Sequence, residues 1–531
     1  MAVDIQTTLL VGITTLVVAS LIARKWMISQ PVLLPPSPPS DPIIGHARHI
    51  PLEYSWKTFS AWRKSFGDII YVSILGRPII ILNSLQATRD LFEKSGANFS
   101  DRPSFLVIND LVGLGSTLPF LPYGDRWRQQ RRLLQRHFDP QYMQRVRSIQ
   151  QQQVELLLQS LLQSPGSFMS LVKGFTSLLS LKTVYGNSFI SADGTLLGKF
   201  KQAAAMITEV GDAGGTIIDI LPALRHVPTW LPTWFPGVAV KRHALQLRDL
   251  LDEIKNAPVE ELRAKRAMGI SDPCIMSKIL DDYEKSDVQN AEMEEDNKAL
   301  GVLVFTAGYD STNSVLLTFF LMMTLNSGVV KQAQVVLDEL THGERPVTLE
   351  DRSQLPYIDC IVKEVYRIHP PGPVGLPHQS VHAEQYDKWT IPAGSMLIPN
   401  MWEMVNDEVN FPNPRLFSPQ RHLKHDKSKA LQNKPMENSI DPTNIIFGFG
   451  RRICPGRFFA DATVWLTIAN VLAFFDIGPI VDPESGKELY PDGTYHSGFA
   501  STPKEFKCSI VPRSVKHAQL IRDLKGLAVP V

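Results

Sequence analysis

The stretch Phe447-Gly448-Phe449-Gly450-Arg451-Arg452-Ile453-Cys454-Pro455-Gly456-Arg457 decides the reading of this chain, because it sets one cysteine in a glycine-rich turn after an aromatic cover and a pair of arginines. Glycines at 448, 450 and 456 allow backbone to approach sulfur closely, and N–H groups presented by such a turn stabilise negative charge on it. From Phe458 onward FFADATVWLTIANVLAFF reads as an apolar helix. Cys454 then stands near a helix N-terminus, whose dipole is expected to lower the thiol pKa and favour a thiolate.

What that thiolate binds follows from the other cysteines. Cys274, Cys360, Cys454 and Cys508 stand far apart with no Cys-x-x-Cys, whereas zinc and iron–sulfur sites need several grouped ligands. Single-thiolate haem ligation is what remains, with Phe447 as an apolar cover and Arg452 as a charge for a haem propionate. The pattern Phe-x-x-Gly-x-Arg-x-Cys-x-Gly resembles the haem-binding loop of the cytochrome P450 family at every fixed position. At roughly 5% usage per residue type, five fixed positions recur by chance about once in 3 million starting points. An ordinary buried thiol, the default for a lone cysteine, does not account for that context.

The rest of the chain is compatible with one large domain, since no Ser/Gly linker or repeat divides it after residue 45. Hydrophobic residues make up 44% and charged residues 20%, and 54 basic against 53 acidic residues leave a net charge of +1, so nucleic acid is not an implied partner. Scattered cysteines argue against a disulfide framework. The polar stretches 282–297 and 421–438 are expected to be solvated loops.

Residues Ile5 to Ala23 are uncharged and closed by Arg24 and Lys25, the pattern of a single bilayer-spanning helix with its C-terminal flank in the cytosol. A cleaved signal peptide is the rival, but Asp4 is wrong for its n-region. The division expected is an anchor at 1–25, a proline-rich linker at 26–45 acting as a stiff spacer, and a catalytic domain at 46–531. Asn98-Phe99-Ser100 has the form of a glycosylation acceptor, which a cytosolic domain would not use.

Between Ala299 and Asn326 runs GVLVFTAGYDSTNSVLLTFFLMMTL, too long for a strand. Asp310 and the polar residues after it make a buried core helix preferable to a second membrane span. Ala307-Gly308-Tyr309-Asp310-Ser311-Thr312 resembles the family's oxygen-activation motif, and oxygen activation at a water-poor site needs a hydroxyl to position protons and a carboxylate to supply them. Asp310, Ser311 and Thr312 are the candidates, with Ser311 where the family usually has threonine. A freer hydroxyl there is expected to permit some uncoupled peroxide release.

Glu364-Val365-Tyr366-Arg367 resembles the family's Glu-x-x-Arg, and Phe411 to Arg421 resembles the segment whose arginine joins that pair. The resemblance implies that Glu364, Arg367 and Arg421 brace the haem-side core. Trp127 and Arg131 are four apart, hence on one helical face, and resemble the pair the family uses on haem propionates. His378 resembles a further propionate contact. Arg126, Arg128, Arg132 and Arg136 exceed what two propionates need, leaving either a solvated basic helix or a docking face for an acidic electron donor. The proline- and tryptophan-rich run Leu221 to Gly237 is expected to touch the membrane interface, with core packing as the alternative. Phe105 to Phe120, Phe305, Val374 to Leu376 and Gly498 to Phe499 are the expected substrate lining, apolar and without a fixed countercharge.

Together these motifs are similar to membrane-bound eukaryotic members of the family, with wording closest to fungal, mushroom-type ones. The resemblance implies a mainly α fold with small β-sheets, preceded by one N-terminal transmembrane helix, and haem b held by Cys454, Trp127, Arg131, His378, Phe447, Gly450, Arg452 and Gly456. It further implies a monooxygenase in the endoplasmic reticulum membrane, single-pass and facing the cytosol. Such an enzyme hydroxylates a hydrophobic small molecule with O2 and NADPH-derived electrons from a separate NADPH-cytochrome P450 reductase. A fungal secondary metabolite such as a terpenoid is the first expectation, an aromatic or polyketide metabolite or a xenobiotic the alternative. A haem-thiolate isomerase or dehydratase needing no external electrons is the alternative of another class.

Overall fold

A computed structural model describes residues 33–138, 140–186, 195–210, 215–270, 274–286, 289–423 and 440–524 of the chain. The expected anchor and the greater part of the polar run 421–438 lie outside these residues.

Six helices position the site: α1 (Asp125–His137), α2 (Pro140–Gln163), α3 (Phe168–Tyr185), α4 (Ala291–Leu325), α5 (Pro356–Ile368) and α6 (Arg457–Phe474). The fold is mostly helical. α4 is the axis of the molecule, started by Asn290, whose side chain accepts the Met293 N–H at 2.8 Å. Its second half, Val315 to Met323, joins the larger hydrophobic core with α2, α3, α5 and α6, while Leu300 to Tyr309 joins a second core. Close packing on α3 explains Gly301, where an added Cβ would stand 2.5 Å from the Tyr185 hydroxyl. α5 starts on Pro356 at its first turn and stops at His369-Pro370.

α6 is long and apolar enough to cross a membrane by itself, but Trp465, Leu466 and Ile468 are fully buried inside the domain. Among the described residues the main sheet has four strands: β1 (Ile69–Ile74), β2 (Arg77–Leu82), β3 (His378–Gln379) and β4 (Met396–Pro399), in the order β1-β2-β4-β3. β1 and β2 form a hairpin that pairs Ile74 with Arg77 across Leu75 and Gly76, both at positive φ. β4 runs parallel to β2, and β3 antiparallel to β4. The remaining sheets are two-stranded.

Two expectations about connecting segments change. Residues 291–297 are the first turns of α4, not a solvated loop: Asp296 is buried there because Arg126 donates to both its carboxylate oxygens. The described end of the proline-rich run is docked on the domain, with the Pro36 carbonyl accepting from Tyr71 N–H and His46 Nε2 lying 2.9 Å from the Pro38 carbonyl oxygen. Proline supplies no N–H, so its free carbonyls are what bind that edge.

Candidate functional site

The cysteine loop lies between a short helix, Thr443–Ile446, and α6. The Cys454 N–H donates to the Phe447 carbonyl at 2.8 Å and closes the loop. Gly450 is required by its neighbour: at φ +55° an added Cβ would stand 2.1 Å from the Phe92 carbonyl oxygen. Crowding from this other segment, not the approach to sulfur, is therefore what excludes a side chain at 450. Gly456 is the N-cap of α6, and its N–H reaches toward the Cys454 sulfur.

The expected depression of the thiol pKa is corrected by the structure. Burial pushes the Cys454 thiol up, and the Gly456 N–H with the Arg131 and Arg457 guanidiniums offsets only part of that rise. Desolvation outweighs the stabilisation that these donors and charges give the thiolate. A metal that ligates such a sulfur removes its proton directly. Cys454 is deep in the fold yet keeps some accessible surface, and so does Ala307, an exposed position in the middle of α4 between the buried Phe305 and Tyr309.

Around the loop, buried cations outnumber anions. Trp127 and Arg131 share the buried face of α1, as their spacing predicts. The Arg131 Nη1 donates to the Ile453 carbonyl at 2.6 Å, and Arg452 donates to the carbonyls of Ser100, Leu118 and Leu121 while stacking over Trp127 at 4.7 Å. Burial lowers the Arg131 pKa and brings that of Arg452 to about 10. Trp127 Nε1 and Arg131 Nε are buried donors without a hydrogen-bond partner among the described residues.

Sequence reasoning missed Arg102, which donates to the carbonyls of Pro119, Leu376 and Pro377 from a buried position. Its signal was Asp101-Arg102-Pro103, an arginine beside an acid and before a proline, two residues after the buried Phe99-Ser100. The acid acting on Arg102 and Arg452 is Asp101. Asp101 acts on Arg102 and Arg452 but not on Arg131; three buried or half-buried guanidiniums with that one carboxylate, beside two orphaned donors, fit a haem, whose two propionates supply the missing negative charge and acceptors.

His378 stacks on Phe92 at 3.8 Å and points Nδ1 at the Phe99 carbonyl, 2.6 Å away. Burial, followed by the Arg102 charge, pushes its pKa far below the usual value. The neutral ring donates through Nδ1 and presents a lone pair at Nε2. It therefore needs a further proton before it can donate to a carboxylate.

On α4, Ser311 donates to the Ala307 carbonyl at 2.7 Å, Asp310 is half-buried and Thr312 is buried. The side chain of Ser311 thus occupies the helix's own backbone acceptor. Phe305, expected in the substrate lining, is instead packed between Phe200 and Tyr309 with no exposed surface.

Glu364, Arg367 and Arg421 come together. Arg367 grips Glu364 with two bonds of 2.8 Å, Arg421 Nε donates at 3.1 Å, and the Ser418 N–H adds a fourth donor. His422, absent from the sequence reading although it follows Arg421 directly, lies 2.8 Å from the other carboxylate oxygen. Burial alone would raise the Glu364 pKa, but the Arg367 and His422 hydrogen bonds hold it at about 2.

The arginines of α1 are less of a surplus than they looked. Arg126 pairs with Glu292 and Asp296, Arg128 with Asp125, and Arg136 with Asp282. Asn98 is also committed: its side chain donates to Glu384 and accepts from the N–H groups of Val381 and His382.

The cytochrome P450 family model matches residues 35–510. The chain is similar to cytochrome P450 monooxygenase 176 of Postia placenta, at 35% identity over 98% of each chain. It is also similar to cytochrome P450 monooxygenase ple1 of Rhodocybe pseudopiperita, at 35% identity over 92% of this chain and 91% of the relative. The chain belongs to the cytochrome P450 family and is a haem-dependent monooxygenase, a class that holds its iron by a cysteine thiolate and uses O2 with electrons from a redox partner.

Proposed function

We propose that this chain hydroxylates a hydrophobic small molecule, a fungal secondary metabolite such as a terpenoid, with haem b ligated by Cys454. The observation that carries the reading is the Cys454 loop set beside Trp127 Nε1 and Arg131 Nε, buried donors left without acceptors. Trp127, Arg131, Arg102 and Arg452 would hold the propionates, with His378 joining once protonated, and Phe447, Gly450 and Gly456 would shape the loop. The haem supplies oxygen activation when bound. The chain's own residues handle protons: Asp310 delivers them through water and the Ser311 hydroxyl positions them, with Thr312 as a second hydroxyl. Glu364, Arg367 and Arg421 brace the core behind the loop without touching substrate.

Electrons come from an NADPH-cytochrome P450 reductase, which docks on the exposed arginines around α1. Residues 5–23 anchor the chain in the endoplasmic reticulum membrane with the domain facing the cytosol. The segment Leu221–Gly237 adds a second membrane contact, supported by Trp230 and Trp234, each 78% exposed where a solvated loop would be polar. The test is the reduced carbon monoxide spectrum of Cys454→Ala: the thiolate-type Soret band is expected to vanish, and its retention overturns the assignment of the ligand.

A further inference from the structure

We infer that a cavity between the β1–β2 hairpin and the segment Ile217–His226 receives a lipophilic molecule by its anionic head, held by Arg77 and Arg225. The inference rests on the function proposed above and narrows its substrate side. The cavity measures about 530 Å³, within the range of small-molecule sites. Its walls are mainly apolar, with Ile79, Phe105, Pro222 and Met396 among them, and its charged residues are Arg77, Arg225, Asp110 and Asp219.

These four charges do not cancel at the mouth. The Asp219 carboxylate is turned inward and accepts the Val107 N–H at 3.0 Å, the Thr216 N–H at 2.7 Å and the Thr216 hydroxyl at 2.9 Å. It meets Arg77 only through its backbone carbonyl, 3.3 Å from Nη1. Arg225 donates Nε to His226 at 3.0 Å. Neither arginine has a carboxylate partner among the described residues, so both keep open N–H groups, and guanidiniums bind carboxylate or phosphate oxygens in pairs. Asp110 is exposed on the same rim and weakens the preference without removing it.

Arg225 also belongs to the segment that exposes Trp230 and Trp234, so the cationic mouth opens beside the surface assigned to lipid. A free lipophilic acid and an anionic lipid headgroup share the required chemistry. Either would add a countercharge, from Arg77 and Arg225, at a cavity that shares Phe105, Leu106 and Asp110 with the expected apolar lining.

The test is calorimetric binding of dodecanoate and of dodecanol to the full-length holoenzyme in neutral detergent. The wild type is expected to prefer dodecanoate about fivefold, the size of two partly exposed ion pairs. Arg77→Gln/Arg225→Gln should bring the ratio to about one with dodecanol binding unchanged, and Asp110→Asn should raise it. In phosphatidylcholine vesicles, competition by added phosphatidylserine, lost in the double variant, assigns the site to a headgroup. Binding of dodecanoate without such competition assigns it to a free acid. Equal affinity of the wild type for both probes, or a ratio that survives the double variant, overturns the inference. The carbon monoxide band of the same wild-type sample reports separately on the haem reading.

Discussion

Asp310 and Ser311 share one turn of α4. The Ser311 hydroxyl donates to Ala307, so it offers its oxygen to an incoming donor or turns away from the backbone before it can donate. With only one carbon substituent where threonine has two, that rotation is less restricted. Ser311→Ala is expected to raise the peroxide released per NADPH consumed, and unchanged coupling would remove Ser311 from the mechanism. Asp310→Asn keeps the shape and removes the proton source, which should slow single turnover by about 10²-fold. Stopped-flow spectra that decay at the wild-type rate would exclude that role. Both residues were legible in the sequence because their chemistry depends on side-chain type and adjacency. Arg102 was not, because a lone arginine gains meaning only when folding buries it beside Arg452 and Asp101.

At the scale of elements, the junction of α5 with the turn Pro419–His422 concentrates buried charge. Glu364 and Arg367 have no exposed surface, so Glu364→Gln leaves two arginines short of their counterion, which should cost about 3–5 kcal/mol of unfolding free energy. The pH dependence has a definite sign. With its pKa held at about 2 against an unfolded value of 4.5, Glu364 contributes about 3 kcal/mol at neutral pH. That contribution is complete above pH 4.5 and is lost as pH falls toward 2. Urea unfolding of the variant across this window should lack the slope that the wild type shows. An equal slope in both would assign the acid sensitivity to other carboxylates. The three-residue spacing of Glu364 and Arg367 gave their common face, while His422 became part of the network only through the chain turn that brings residues 418–422 onto α5.

For the whole molecule, the relation between two faces matters most. The cysteine loop, the buried guanidiniums and the middle of α4 form the proposed chemical centre, and the Leu221–Gly237 segment exposes Trp230 and Trp234, the side proposed to meet lipid. In the full chain, Trp230→Ser/Trp234→Ser is expected to leave the carbon monoxide spectrum intact and to reduce the total quenching of tryptophan fluorescence by bromolipids. Unchanged quenching would place this segment in water. The core was partly legible: the length of the apolar run with Asp310 inside it marked α4 as a buried helix, α6 read as an apolar helix, and both contribute to the larger core.

By itself the sequence determined the family, the ligand cysteine as candidate, the buried helix with its acid and alcohol, and the one-face pairing of Trp127 with Arg131. These depend on residue identity at short separations, where backbone geometry is already known. Tertiary structure alone decided which charges stay unpaired. It closed Asp219 inward, matched Arg126 and Arg136 to distant acids, packed Phe305 away from open space and left Arg77 and Arg225 lining a cavity. Those outcomes depend on which segments meet, and a burial cost or a missing partner exists only once they have met.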